Sequence, residues 1–383
     1  MLESLLGIRM TLLIGPTIAV PAPLPVLEAL SGVEVTLRQE GRNGFQLEFT
    51  LGRGPLELLD YTLAALPLLW PMNRVVMQVW LGVMPEVLFD GFITHRQVLP
   101  GHSPGEARMI LSGEDVRVMM ALHEISMPWP AMPHHVRAQA ILAKYLLYFA
   151  SPPVVLPPLQ LSVPLPNECI PAQSGTDLDY VEDLAEQVGH VFYVEPGPLP
   201  MTNTVYWGQE NRLGKPQRAL STNMGSSTNV EQISFGYDAM QPLMVLGMVQ
   251  DARLGVMLPV VGTPPLQVPL APLPAMATQG ANLRTVQVKH GGNTDLPTAM
   301  ARAQSETRRS SNAVVARGEL DALRYGALLR ANRLVGVRGA GAMHDGFWLV
   351  NEVTHSIRRG SYRQSFVLAR EGFGPLLPVV PPL

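Results

Sequence analysis

The chain has one cysteine, Cys169, in 383 residues. That count excludes a disulfide framework and any multi-cysteine zinc site. Aromatic residues are scarce at 6%, and charged residues reach only 15%. The net charge of −3 provides no global basic field to draw the chain onto nucleic acid or anionic lipid. Few charges do not mean disorder here: 47% of residues are hydrophobic, whereas disordered segments combine low hydrophobicity with high net charge. A long unbroken apolar helix is also missing. Met10 to Leu27 is uncharged, but Pro16, Pro21, Pro23 and Pro25 interrupt it. Glu3 sits where a signal peptide wants basic residues, and the stretch is too short and broken for a membrane span. No membrane insertion is expected, and the expected compartment is the cytoplasm or a particle assembled there.

What is abundant is proline, with 36 residues, about twice the usual share. Stiff extended connections in a strand-and-loop protein follow. Phe45, Leu47, Phe49 and Leu51 alternate with Gln46, Glu48 and Thr50, and Val33, Val35 and Leu37 alternate with Glu34, Thr36 and Arg38. A period of two is the strand signature, and Asn43-Gly44 between the runs suits a tight hairpin. Arg74 to Leu81 and Val87 to Val98 read as further strands, followed by Arg108 to Leu111. Short strands at close spacing argue for a small barrel or sandwich.

Helical signals follow. Val136 to Phe149 has a broad apolar face and stops at Pro152-Pro153. Thr176 to Val188 places Leu178, Val181, Leu184 and Val188 at helical spacing, crowds acidic residues into its first turns and ends at Gly189. A hairpin of His190 to Glu195 and Thr204 to Gly208 completes an α/β insert. Ser151 to Pro171 and Pro259 to Gly280 read as long semi-rigid loops. A third helix is expected over Pro297 to Arg309, with proline at its first position. Strands return at Leu328 to Val337, Phe347 to Ile357 and Tyr362 to Ala369, the last two joined by a turn at Arg359-Gly360.

The chain resembles itself. Asn73-Arg74-Val75-Val76 leads to Asp90-Gly91-Phe92, and Asn332-Arg333-Leu334-Val335 leads to Asp345-Gly346-Phe347. Asp90, Gly91, Asp345 and Gly346 are accordingly expected as repeated structural turns in two copies of one β unit, although Asp-Gly is also a common turn signal on its own. Three chains each carrying two copies would present six near-equivalent units.

Catalytic constellations are weak. Gly101-His102-Ser103-Pro104-Gly105 matches a nucleophile pattern, but it lies between strands, and Pro104 has no N–H to donate to an oxyanion. His134-His135 lacks partners at ligand spacing and reads as a solvated loop pair. Gly336, Gly339 and Gly341 read as a hairpin turn rather than a dinucleotide fingerprint. Arg302, Arg308 and Arg309 read as a solvated basic helix face, and Asp177, Asp179, Glu182, Asp183 and Glu186 as the solvent side of an amphipathic helix. No catalytic residue, cofactor or metal is expected.

Three segments carry a family resemblance. Val87-Leu88-Phe89-Asp90-Gly91-Phe92-Ile93 leads to Leu111-Ser112-Gly113-Glu114-Asp115. Thr176 to Gly189 leads to Val191-Phe192-Tyr193-Val194. Asp345-Gly346-Phe347-Trp348-Leu349-Val350 leads to Val353-Thr354-His355 and on to Arg370. In order and spacing these resemble the tail-hub proteins of contractile phages and related injection machines: the T4-type baseplate hub, the late-control protein D group and the N-terminal part of type VI secretion spikes. The resemblance covers about residues 30 to 372. It implies a mainly β fold with an α/β insert and two related small β-barrels. The expected units are 1–115 (first barrel), 116–225 (insert), 226–373 (second barrel) and 374–383 (proline-rich tail). It further implies a homotrimer around a channel in a virion baseplate or extracellular contractile particle. The tail tube protein would dock on one face, and a spike protein, expected as a separate chain, on the other. Other baseplate proteins are further partners, and genome or cargo would pass without sequence-specific binding. The alternatives are a carbohydrate-binding adhesin of a particle surface and a serine hydrolase acting through Ser103.

Overall fold

The computed structural model describes residues 9–52, 62–81, 84–101, 106–158, 170–251, 255–263, 267–287 and 296–376. Ser103 and Cys169 lie outside them, as do parts of both long loops.

The first β region holds β1 (Arg9–Gly15), β2 (Leu30–Arg38), β3 (Gly44–Thr50), β4 (Arg74–Trp80), β5 (Pro85–Leu99) and β6 (Arg108–Asp115). The alternation seen in the sequence fixes their faces: Val33, Val35, Leu37, Phe45, Leu47 and Phe49 are all buried in one core. In the β2–β3 hairpin the residue at positive φ is Gly41, and Asn43 Oδ1 accepts from the Arg38 N–H at 2.8 Å. Gly44 is already the first residue of β3, so the Asn-Gly pair closes the turn rather than forming its tip.

The insert packs α1 (His134–Ala143), α2 (Leu146–Phe149) and α3 (Asp177–Val188) on the hairpin β7 (Val191–Pro196) and β8 (Asn203–Gly208). The single helix expected over 136–149 is broken at Lys144 and Tyr145. The α3 boundaries follow from its caps. Thr176 accepts from the Asp179 N–H, and Gly189 ends the helix in the left-handed conformation. Leu178, Val181 and Leu184 meet Phe149, Phe192 and Trp207 in a second core.

The second β region holds β9 (Gln217–Ser221), β10 (Gln232–Tyr237), β14 (Val314–Asp321), β15 (Leu334–Arg338), β16 (Gly346–Arg358) and β17 (Ser361–Arg370) around a third core with Trp348, Tyr325 and Phe366. Between β10 and β14 the chain makes β11 (Leu243–Gln250), β12 (Met257–Val261), β13 (Arg284–Gln287) and α4 (Leu296–Ser311). The proline-rich 259–280 stretch thus includes the end of β12 and a short helix, Ala275–Gln279. Helix α4 buries small residues, among them Ala299, Ala303, Ser305 and Thr307, which let it sit close to α3 and β11.

The two β regions do not form two separately closed barrels. They share one thirteen-stranded sheet, in the order β10-β14-β17-β16-β2-β3-β6-β5-β4-β1 and then the two-residue strand Val20–Pro21, with β15 and β9 branching from β16. No pairing among the described residues closes either half. The reason is local: the C-terminal part of β16 gives one edge to β17 and the other to β2, from Glu352↔Arg38 to Arg358↔Gly32, so its hydrogen bonds are spent on the junction.

Within this sheet one strand order occurs twice, β1-β4-β5-β6-β3-β2 and β9-β15-β16-β17-β14-β10. The outermost pairs differ, β1 with β4 being antiparallel and β9 with β15 parallel. The inner match extends to irregularities. A bulge interrupts β5 against β6 between Ile93 and His95, and another interrupts β16 against β17 between Val350 and Glu352. Met72 and Asn332, both at positive φ, donate their N–H groups to Ile93 O and Val350 O, and the next residue in each case accepts a bond back. This register overturns the residue match read from the sequence. Asp90-Gly91 lies within β5 rather than at a turn, two residues out of structural step with Asp345-Gly346. Gly91 is required there by close packing: a Cβ would collide with the Glu114 carbonyl of β6. Asp345 precedes β16, with its Oδ1 accepting from the Ala340 N–H, and Gly346 is the first residue of that strand.

Candidate functional site

Successive side chains of a strand face opposite ways. One face of the large sheet holds the cores, and the other is polar from β5 to β10. A single row across it reads His95, Ser112, Gln46, Glu34, Ser356 and Arg363. Cross-strand ion pairs lie on this face: Arg108–Glu48 at 2.5 Å, Arg38–Glu352 at 3.4 Å and Arg363–Glu319 at 3.1 Å. Such solvated pairs add little stability. Their effect is to balance charge along the surface. Toward β10 the face dips into a groove of about 480 Å³ lined by Ser234, Arg317, Glu319, Glu352, Thr354 and Ser365.

Behind this face, buried arginines hold the parts together. The Arg74 guanidinium donates from Nε and Nη2 to both carboxylate oxygens of Asp90 at 2.7 Å. Asn203 of β8 donates to Asp90 at 2.9 Å and to the Tyr148 carbonyl, so the insert is fastened to β4 and β5. Burial pushes the Asp90 carboxyl up against the opposing pull of Arg74. Arg117 pairs with Asp115 at 2.7 Å and reaches the Gly41 carbonyl in the β2–β3 turn. Arg212 bonds Glu210, Glu371 and Asn312, joining the end of the insert to the second β region. Arg370 lies over the Trp348 ring at 4.1 Å, and burial lowers its pKa to about 10. At the junction of the halves His355 is buried, shares a 2.9 Å hydrogen bond with the Tyr362 hydroxyl, and is held down to about 3, chiefly by burial. The sequence named Asp90 only as a turn residue and marked none of these groups as a buried contact. Their signal was a charge set in an apolar strand: Asp90 in VLFDGFI and Arg74 in RVVMQVW.

Other expected groups are placed differently from the sequence reading. His134 is not solvated; it is buried in the first turn of α1 and meets Gln187. Asp177 does not face solvent; it is buried and bound by Lys144, Tyr145 and Gln173. Arg309 is occupied by Glu186 at 2.7 Å and Glu40 at 3.4 Å, which ties α4 to α3 and the β2–β3 turn. Gly339 and Gly341 turn the chain between β15 and β16 at positive φ. Among the described residues no group of three or more His, Cys, Asp or Glu side chains is arranged to hold a metal, and no helix is long and apolar enough to cross a membrane. Trp207, Trp348 and Trp129 are buried, which removes them from any sugar-stacking platform.

No protein-family model matches the chain, and no curated protein matches it by sequence. Solved structures do match. A tail protein from Neisseria meningitidis MC58 aligns over 95% of this chain and 98% of its own, with TM-score 0.63 and 12% identity. The 43 kDa tail protein of prophage MuSo2 from Shewanella oneidensis aligns over 94% and 98%, with TM-score 0.63 and 15% identity. The E. coli c3393 protein, a component of the type VI secretion system, aligns over 92% of this chain and 78% of its own, with TM-score 0.55 and 14% identity. The chain therefore has the mainly β fold, with an α/β insert, that phage tail proteins share with a type VI secretion component.

Proposed function

We propose that the protein is a structural hub of a contractile tail or related injection particle. Three copies form a ring that adapts a six-fold tail tube to a three-fold spike. The reading rests chiefly on one observation: a five-strand unit occurs twice, side by side in one continuous sheet, with its bulge in the same place. Three chains then offer six near-equivalent units in a closed ring. The polar, charge-balanced face would line the channel, passing genome or cargo without binding it. Tube protein would dock on one rim, and the spike and other baseplate proteins would engage the other. The role is one of shape and rigidity, with the buried arginine contacts fixing insert and sheet as one body; no catalysis is part of it.

Light scattering or native mass spectrometry of the purified chain, with co-sedimentation on the tube protein of the same particle, tests this. A three-fold mass and tube binding are expected. A persistent monomer with no affinity for tube or spike overturns it.

A further inference from the structure

The internal repeat leaves one junction unmatched. Inside the chain β2 pairs with the C-terminal half of β16, but the corresponding edges, β10 and the C-terminal half of β5, have no strand partner among the described residues. We propose that they pair with each other between copies: β10 of one chain lies antiparallel on β5 of the next, with Phe235 opposite Val98. This rests on the ring reading and gives it a register.

The register follows from rows of paired residues. From the first bulge the row runs Ile93, Gly113, Phe45, Val35, and from the second it runs Val350, Leu368, Ala316, Phe235. Val35 pairs with His355, five residues past Val350. The matching position five past Ile93 is Val98, so Phe235 must meet Val98. Leu99 then faces Ser234, Gln97 faces Gly236, Arg96 faces Tyr237 and His95 faces Asp238.

Three observations agree with this register. Phe235 and Val98 both turn toward cores, packing on the third and the first respectively, as Val35 and His355 do at the internal junction. Leu99 and Tyr237 are large apolar residues left 40% and 37% exposed on these strands. The end of the internal junction carries the Arg38–Glu352 ion pair at 3.4 Å. The equivalent pair between copies is Asp238 with His95, a carboxylate facing a ring whose N–H can donate to it. An edge strand with unpaired N–H and C=O groups is a template for another chain, and a one-residue slip would set the core-facing Phe235 opposite Gln97 or Leu99, which turn to the polar face.

Cysteine cross-linking of the full-length chain tests the register. In a Cys169→Ser background, Leu99→Cys with Ser234→Cys puts the two thiols on directly opposed residues of neighbouring copies, inside the disulfide window of roughly 4.4–6.8 Å between Cα atoms. Gln97→Cys with Ser234→Cys keeps the same face but is two residues out of register. On mild oxidation the first pair is expected to give about ten-fold more interchain product than the second or either single variant, ending in a covalent ring. Equal or reversed yields from a chain that still has a three-fold mass overturn the register and leave the ring reading standing. A chain that remains monomeric at every concentration overturns both.

Discussion

Arg74 meets both carboxylate oxygens of Asp90 at 2.7 Å, and neither residue is more than 2% exposed. A charge pair this deep adds little net stability over an apolar pair, but losing one member leaves a buried charge without a counterion. Since Asn203 hangs on the same carboxylate, the pair also decides where the insert sits.

Arg74→Met is therefore expected to cost about 3–5 kcal/mol at neutral pH in urea denaturation. The sign of its pH dependence is fixed. Burial already raises the Asp90 pKa, and removing Arg74 raises it further. A carboxyl with a raised folded pKa contributes most at low pH and loses that contribution as pH rises through the folded value. The deficit of the variant should shrink on acidification; a deficit constant with pH would show that Asp90 is not the group left unpaired.

Gly91→Ala tests why glycine stands inside β5. The added methyl would meet the Glu114 carbonyl and the Phe89 ring, whereas at Gly52 it would meet nothing within 4 Å. A loss of about 1–3 kcal/mol or more is expected at position 91, as for overpacked cores, with little change for Gly52→Ala. Equal melting temperatures for the two variants would show that β6 can move aside.

His355 carries the acid sensitivity of the junction between the halves. Its folded pKa is about 3 against an ordinary 6.5. The unfolded chain therefore binds a proton that the folded chain refuses, and stability is lost as pH falls through this window. The slope is about 1.4 kcal/mol per pH unit for one histidine. His190, held down to about 3 mainly by burial, adds a second such group. In His355→Gln the slope should flatten by about one proton. An unchanged slope in chemical denaturation across this range would assign the acid sensitivity elsewhere.

The residues of α3 show how far sequence alone could go. Thr176, the apolar spacing and Gly189 are local signals for a local structure, and the helix begins and ends where they place it. Strand faces were legible for the same reason, since alternation in β2 and β3 is written residue by residue. The repeat was legible as a fact but not in its register. Its two Asp-Gly pairs are chemically alike, yet one lies inside a strand and the other where a strand begins.

The amino-acid sequence by itself determined the strands whose residues alternate, such as β2 and β3, the faces these bury, and where the insert helix ends. The tertiary structure alone decided that both halves share one sheet, that Asp90 is neutralised by Arg74, and that β5 and β10 are left with open edges. Those outcomes depend on pairings between residues far apart in the chain, such as Val35 with His355. Strand period sets a face but names no partner, and only the assembled backbone fixes which hydrogen bonds are made and which remain to be made.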